Sequence, residues 1–148
     1  MTVIVGIEGS SASRASIRLA DREAVYRGSK LIAVITHSTE ALGSPAARPP
    51  ASTRTATDEL VAAQTQLRDA VADALGERAG QVELRVLPGL AGRVLVDLAR
   101  DRGAELIVLA ARSTLAHLLG AMGQYVLRHA PCPVLIVPDD TAGADDLA

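Results

Sequence analysis

The sequence contains no phenylalanine and no tryptophan, and its only tyrosines are Tyr26 and Tyr125. Single-stranded nucleic acids and unstacked RNA bases are held largely on aromatic platforms, so that class of recognition is excluded. A single cysteine, Cys132, excludes an internal disulfide and a multi-cysteine zinc site. There is one lysine, Lys30, against 14 arginines, and the formal net charge is −2. A charge so near zero implies neither a polyanion nor an acidic membrane surface as partner. No stretch approaches the ~18 continuous apolar residues of a transmembrane helix. The opening MTVIVGIEGSS lacks the basic start and cleavage pattern of a signal peptide, and a cytoplasmic protein is expected.

What is present is enough for one domain. The chain has 148 residues, 49% of them hydrophobic, and 27 are alanine. At this length folding buries roughly 68–70% of the unfolded chain's surface. The core must therefore be built from Val, Leu, Ile and Ala.

Residues 2–7 (TVIVGI) form a β-branched run that reads as a buried strand, closed by a turn at Glu8-Gly9-Ser10-Ser11. A helix is expected from Ala12 to about Arg27, with Ala15, Leu19, Ala24 and Tyr26 as its apolar positions and Gly28 as its stop. Lys30–His37 (KLIAVITH) is nearly all apolar, as a strand covered on both faces should be. Residues 38–55 carry Pro45, Pro49 and Pro50 among small polar residues and read as a mobile surface loop. A long helix is expected over 56–79, with Leu60, Ala63, Leu67, Ala70, Val71 and Ala74 on one stripe and Gly80 ending it. Gln81–Leu87 alternates and reads as a strand near a sheet edge. A turn at Pro88–Gly92 then leads into a helix over 93–102 that carries Val94, Leu95 and Leu98 inward. Glu105–Leu109, a helix over 118–129 and a last strand, Cys132–Val137, complete the pattern. Residues 1–138 thus read as a single domain, and 139–148 as a disordered acidic tail.

Five strands alternating with four helices predict a three-layer α/β/α fold with a parallel sheet. In such folds ligands sit at the carboxyl ends of the strands, where strand order reverses. The loops after the first strand (Glu8–Ser11) and after the fourth (Ala111–His117) are therefore the places to look.

The segments VGIEGSSASRASIRLA and ELIVLAARS…LGAMGQYVLRHAPCPVLIVP resemble the universal stress protein family. The closing motif Val126-Leu127-Arg128-His129-Ala130-Pro131-Cys132-Pro133-Val134 carries the resemblance most specifically, and element order extends it over residues 1–138. The resemblance implies a flavodoxin-like sheet of strand order 3-2-1-4-5, a cytoplasmic homodimer joined through the last strand (Val134, Leu135, Ile136, Val137), and no settled catalytic reaction. It also implies a candidate ligand, ATP with magnesium, held by a loop of pattern Gly-x2-Gly-x9-Gly-Ser/Thr after the fourth strand. Glycines let backbone approach phosphates, and the following helix offers free N–H groups and the positive end of its dipole.

That pattern is altered here. Ala110 stands at the first glycine, Ser113 at the second, and Gly120-Ala121 at the Gly-Ser pair, with only Thr114–Leu119 between. The shorter loop withdraws amides that would wrap the phosphates, and Ala121 has lost the hydroxyl. Glu8 stands where the family's aspartate approaches ribose or metal, followed by Gly9 and Ser10. Thr36 falls where family members contact adenine through backbone. The helix start near Gly120 and Gly123 survives, and Arg112 is a candidate phosphate partner. Two readings follow: a non-enzymatic regulatory protein with an altered nucleotide site, working as a dimeric interaction or small-ligand module, or an ATP-binding switch using Arg112, Ser113 and the amides at Gly120.

Plainer roles compete at each position. Glu8 also suits an acidic cap on the next helix. His129 fits compensation at a helix C-terminus, His117 a solvated loop, and Cys132 a buried inert thiol. His37, His117 and His129 lack metal-ligand spacing, and no metal is expected. Ser10 has no Gly-x-Ser-x-Gly elbow around it, so no hydrolase is expected; at most a weak ATPase activity fits.

Overall fold

Each apolar run read from the sequence becomes a strand of one parallel sheet, and the helices between them cover both of its faces. The computed structural model describes residues 1–7, 13–37, 56–111 and 120–138. In chain order the elements are β1 (Thr2–Ile7), α1 (Ser13–Arg27), β2 (Lys30–His37), α2 (Ala56–Leu75), a 3-10 turn (Gly76–Gln81), β3 (Glu83–Pro88), α3 (Ala91–Arg102), β4 (Ala104–Ala110), α4 (Gly120–His129) and β5 (Val134–Val137). The strands are all parallel, as the sequence pattern predicts, and lie in the order β3-β2-β1-β4-β5, as the family resemblance implies. The expected loop at 38–55 and the expected acidic tail at 139–148 fall outside the described residues.

Side-chain alternation along the strands divides the interior in two. Val3, Val5 and Ile7 of β1 join Leu31, Ala33 and Ile35 of β2 under Ile17, Ala20 and Ala24 of α1 and Leu67 and Val71 of α2. Ile4 of β1 points the other way. It joins Ile32, Val34, Ile107 and Leu109 under Leu95, Val96, Leu98 and Ala99 of α3 and Val126 of α4. β1 is buried at every position because helices lie over both sides of it. A fully buried Ile such as Ile4 or Ile107 contributes about 1.5–3 kcal/mol through the hydrophobic effect.

Helix ends follow local chemistry. Gly28, at φ +66°, stops α1: its N–H donates to Val25 O (3.1 Å) and the Ser29 N–H to Ala24 O (2.8 Å), the Schellman pattern. Gly103, at φ +60°, ends α3 in the same left-handed conformation.

Several boundaries and placements differ from expectation. The α-helix α2 stops at Leu75, because Gly76 turns left-handed (φ +57°), and a 3-10 turn carries the chain on through Gly80. α1 starts at Ser13, α3 at Ala91, β3 runs from Glu83 to Pro88, and β5 starts at Val134, with Cys132 in the bend before it. Tyr26, assigned to the apolar stripe of α1, is 90% exposed. The buried positions Ile17, Ala20 and Ala24 trace the stripe, and Tyr26 lies off it by helical geometry.

Candidate functional site

Strand order reverses between β1 and β4, so their carboxyl ends mark the crevice of the fold. Val5 pairs with Val108, and Ile35 of β2 pairs with Ile7. The end of β1, Thr36 of β2 and Ala110 of β4 therefore lie along one rim of the sheet. Thr36 is half-buried and pairs in register with Leu87 on its other side. The neighbouring His37 carbonyl accepts from the Gly89 N–H at 3.0 Å, which ties the ends of β2 and β3 together.

Glu8, Gly9, Ser10, Arg112, Ser113 and His117 lie outside the described residues, as does the side chain of Ala121. Thr36, Ala110, Gly120 and Gly123 are described. Ala110 is half-buried and continues β4 in register with Val137, so it is a strand residue and not the opening of a turn. The next amide is committed too: the Ala111 N–H donates to Val137 O at 2.7 Å. At the far end of the loop, Gly120 opens α4 at φ +52°, a conformation that disfavours any side chain. Gly123, one turn on, is buried.

Sequence reasoning missed what holds α4 in place. Gly92, in the first turn of α3, faces α4: a Cβ there would lie 3.0 Å from Tyr125 Cβ and 3.2 Å from Met122 O. The absent side chain lets the two helices approach. Gly92 was legible only as part of a Pro-Gly-x-x-Gly turn, because closeness between helices leaves no periodic trace. The same seam carries polar contacts. The Arg93 guanidinium is hydrogen-bonded to Tyr125, which holds it more firmly protonated than an ordinary arginine. The Tyr125 and His129 rings lie 4.3 Å apart, and Arg100 donates to His129 O at 3.2 Å. His129 thus sits in the last turn of α4, where a helix C-terminus favours positive charge.

Cys132 is half-buried in the bend before β5, and burial pushes its thiol above the ordinary pKa. A thiol so placed is a poor nucleophile at neutral pH. Among the described residues there is no group of three His, Cys, Asp or Glu side chains that could hold a metal ion, and no helix long and apolar enough to cross a membrane.

A family model described as the universal stress protein family matches residues 1–138. The chain belongs to the universal stress protein family. A universal stress protein of Mycobacterium tuberculosis (strain H37Rv) is 33% identical over 146 residues, covering 93% of this chain and 48% of its own length. This universal stress protein chain therefore spans about half the length of the curated relatives it matches. Among solved structures, a universal stress protein in complex with cAMP is 27% identical, with a TM-score of 0.65 over 93% of this chain and 95% of the other. The universal stress protein UspA from Lactobacillus plantarum, 20% identical, superposes with a TM-score of 0.65 over 93% of this chain and 97% of its own, a likeness of fold.

Proposed function

We propose that this universal stress protein is a non-enzymatic regulatory protein whose nucleotide site is altered, and that it works in the cytoplasm as a dimeric interaction or small-ligand-binding module. The observation that supports this reading is the state of the chain at the end of β4, Ala110 and Ala111. Ala110 stands where the family pattern has glycine, and the Ala111 amide is already bonded to Val137 O. Phosphate-binding amides must then come from a loop three residues shorter than the pattern, without the hydroxyl that follows its third Gly. Dimerisation is proposed through β5, an outer strand whose Val134, Leu135 and Ile136 are each only half-buried. An open apolar edge of this kind favours pairing with another strand.

A second reading, an ATP-binding switch, is favoured by Gly120. Its left-handed conformation at the start of α4 keeps the last glycine of the pattern in working form, ahead of helix amides that suit an anion. The complex of a 27% identical relative with cAMP lends that reading a ligand class, an adenine nucleotide.

Calorimetric titration of nucleotide-stripped protein with ATP and magnesium, and with AMP and cAMP as comparisons, separates the two. The first reading expects no heat with ATP at about 1 mM. ATP binding tighter than about 10 μM, roughly 7 kcal/mol, would replace it with the second. Sedimentation at tens of micromolar checks the dimer: a monomer mass there would remove it from the proposal.

A further inference from the structure

The sheet has a second outer strand. Among the described residues β3 pairs only with β2, and its other edge lies beside α2, where a groove of about 390 Å³ runs along Leu84–Leu87 and is closed on the helix side by Gln64, Leu67 and Arg68. Four consecutive strand residues line it, so the main-chain edge of β3 forms part of its wall. Alternation sends Val86 to the α1/α2 side of the sheet, where it packs on that core, and Leu84 with it, 37% exposed. Leu87 packs on the α3/α4 side, and Glu83 reaches Arg102 of α3, so Arg85 belongs to that face.

A cation flanks the open edge on each side of the sheet. On the α2 side is Arg68, which has no hydrogen-bond or ion-pair partner among the described residues. Its helical neighbours at i±3 and i±4 are Gln64, Thr65, Val71 and Ala72, none acidic, so α2 supplies no counter-charge. On the other side Arg85 (3.5 Å) and Arg102 (2.9 Å) share one carboxylate, Glu83, which leaves that cluster net positive. Arg14, Arg27 and Arg78, by contrast, each have a carboxylate of their own chain.

We propose that the open edge of β3 is a docking site for an extended acidic peptide segment of a partner protein, added to the sheet as a sixth strand. Charge complementarity selects this occupant. Successive side chains of an added strand point to opposite faces, so carboxylates on the two sides meet Arg68 on one and the Arg85–Arg102 cluster on the other. Aliphatic side chains on the α2 side meet Leu84, Val86 and Leu67, and the peptide backbone satisfies the free edge. The proposal is independent of whether a nucleotide binds.

The test uses the full chain and a short fluorescein-labelled peptide of alternating Val and Asp, with a Val-Lys peptide of equal length as comparison. The Val-Asp peptide is expected to give saturable anisotropy, to shift the backbone amide resonances of Leu84–Leu87, and to lose affinity about tenfold or more in Arg68→Glu. Arg68 is exposed, so the variant is expected to fold. Leu84→Ser, which leaves Arg68 and the charge of the edge unchanged, is expected to weaken binding through the apolar contact. Absence of binding, equal binding of the Val-Lys peptide, resonance changes confined to Val134–Val137, or an edge already taken by a second copy in concentration-dependent self-association would each overturn the proposal.

Discussion

Replacing Gly92 by alanine tests the close approach that fixes α4 beside the crevice. The added Cβ would lie 3.0 Å from Tyr125 Cβ and 3.2 Å from Met122 O, against the ~3.5–4.0 Å of an ordinary carbon contact. Tyr125 Cβ and Met122 O both move only with the α4 backbone, so a rotamer change cannot relieve the overlap. Forcing an extra methyl into a packed seam costs about 1–3 kcal/mol. Working against this, alanine in a helix is better than glycine by roughly 0.5–1 kcal/mol. The net expectation is a loss of about 1–2 kcal/mol, or roughly 2–8 °C in Tm for a chain of this size. Urea unfolding followed by far-UV circular dichroism measures it, with an unchanged slope marking a stability effect. Gly80→Ala is the control: nothing lies within 4 Å of the added Cβ and its φ is not positive, so that variant should be neutral or more stable. If Gly92→Ala stabilises the protein as helix propensity alone predicts, the contact between α3 and α4 is looser than described and the reasoning is wrong.

Ile107→Ala, at a fully buried position of β4, should cost about 2–5 kcal/mol by equilibrium unfolding. Gly103→Ala places a side chain at φ +60° with nothing to clash against, so its cost, roughly 1–2 kcal/mol, should come from backbone conformation alone; Gly103→Asn should recover part of it. The Cys132 thiol, raised by burial, stays protonated in the folded state at pH values where the unfolded thiol ionises. Alkylation at neutral pH should therefore be slower in the native protein than in denaturant. The stability that comes from keeping this thiol neutral is present below the unfolded pKa and is lost as pH rises through the folded one. Native alkylation as fast as that of the unfolded chain would contradict the burial of this site.

The sheet was legible because β1, β2, β4 and β5 are nearly continuous apolar runs and β3 an alternating one, and five strands separated by helices leave few topologies. Helix ends were legible where one glycine closed a stripe, as at Gly28. They were not where two glycines competed: Gly76 and Gly80 both follow the stripe of α2, and only the backbone angle at Gly76 decides between them. Tyr26 was misplaced because an aromatic residue was counted as apolar without following the period of its buried neighbours. At the site, the glycine that opens α4 could be located by spacing from Val126–His129. The engagement of the Ala111 amide could not, because its partner, Val137, lies in a strand whose register depends on the folded sheet.

The two-sided burial of β1 also has a bearing on synthesis. Once β1, α1, β2 and α2 have left the ribosome, Val3, Val5 and Ile7 can find their helices. Ile4, Ile32 and Val34 cannot, since α3, β4 and α4, which cover them, are encoded later. The nascent chain therefore carries a half-covered pair of strands, with aliphatic side chains and a strand edge open to solvent, until Ala104 and the residues after it emerge. A species of that kind is prone to aggregate and suited to chaperone capture, so pauses in translation between β2 and β4 should lower the yield of this protein more than pauses after β5.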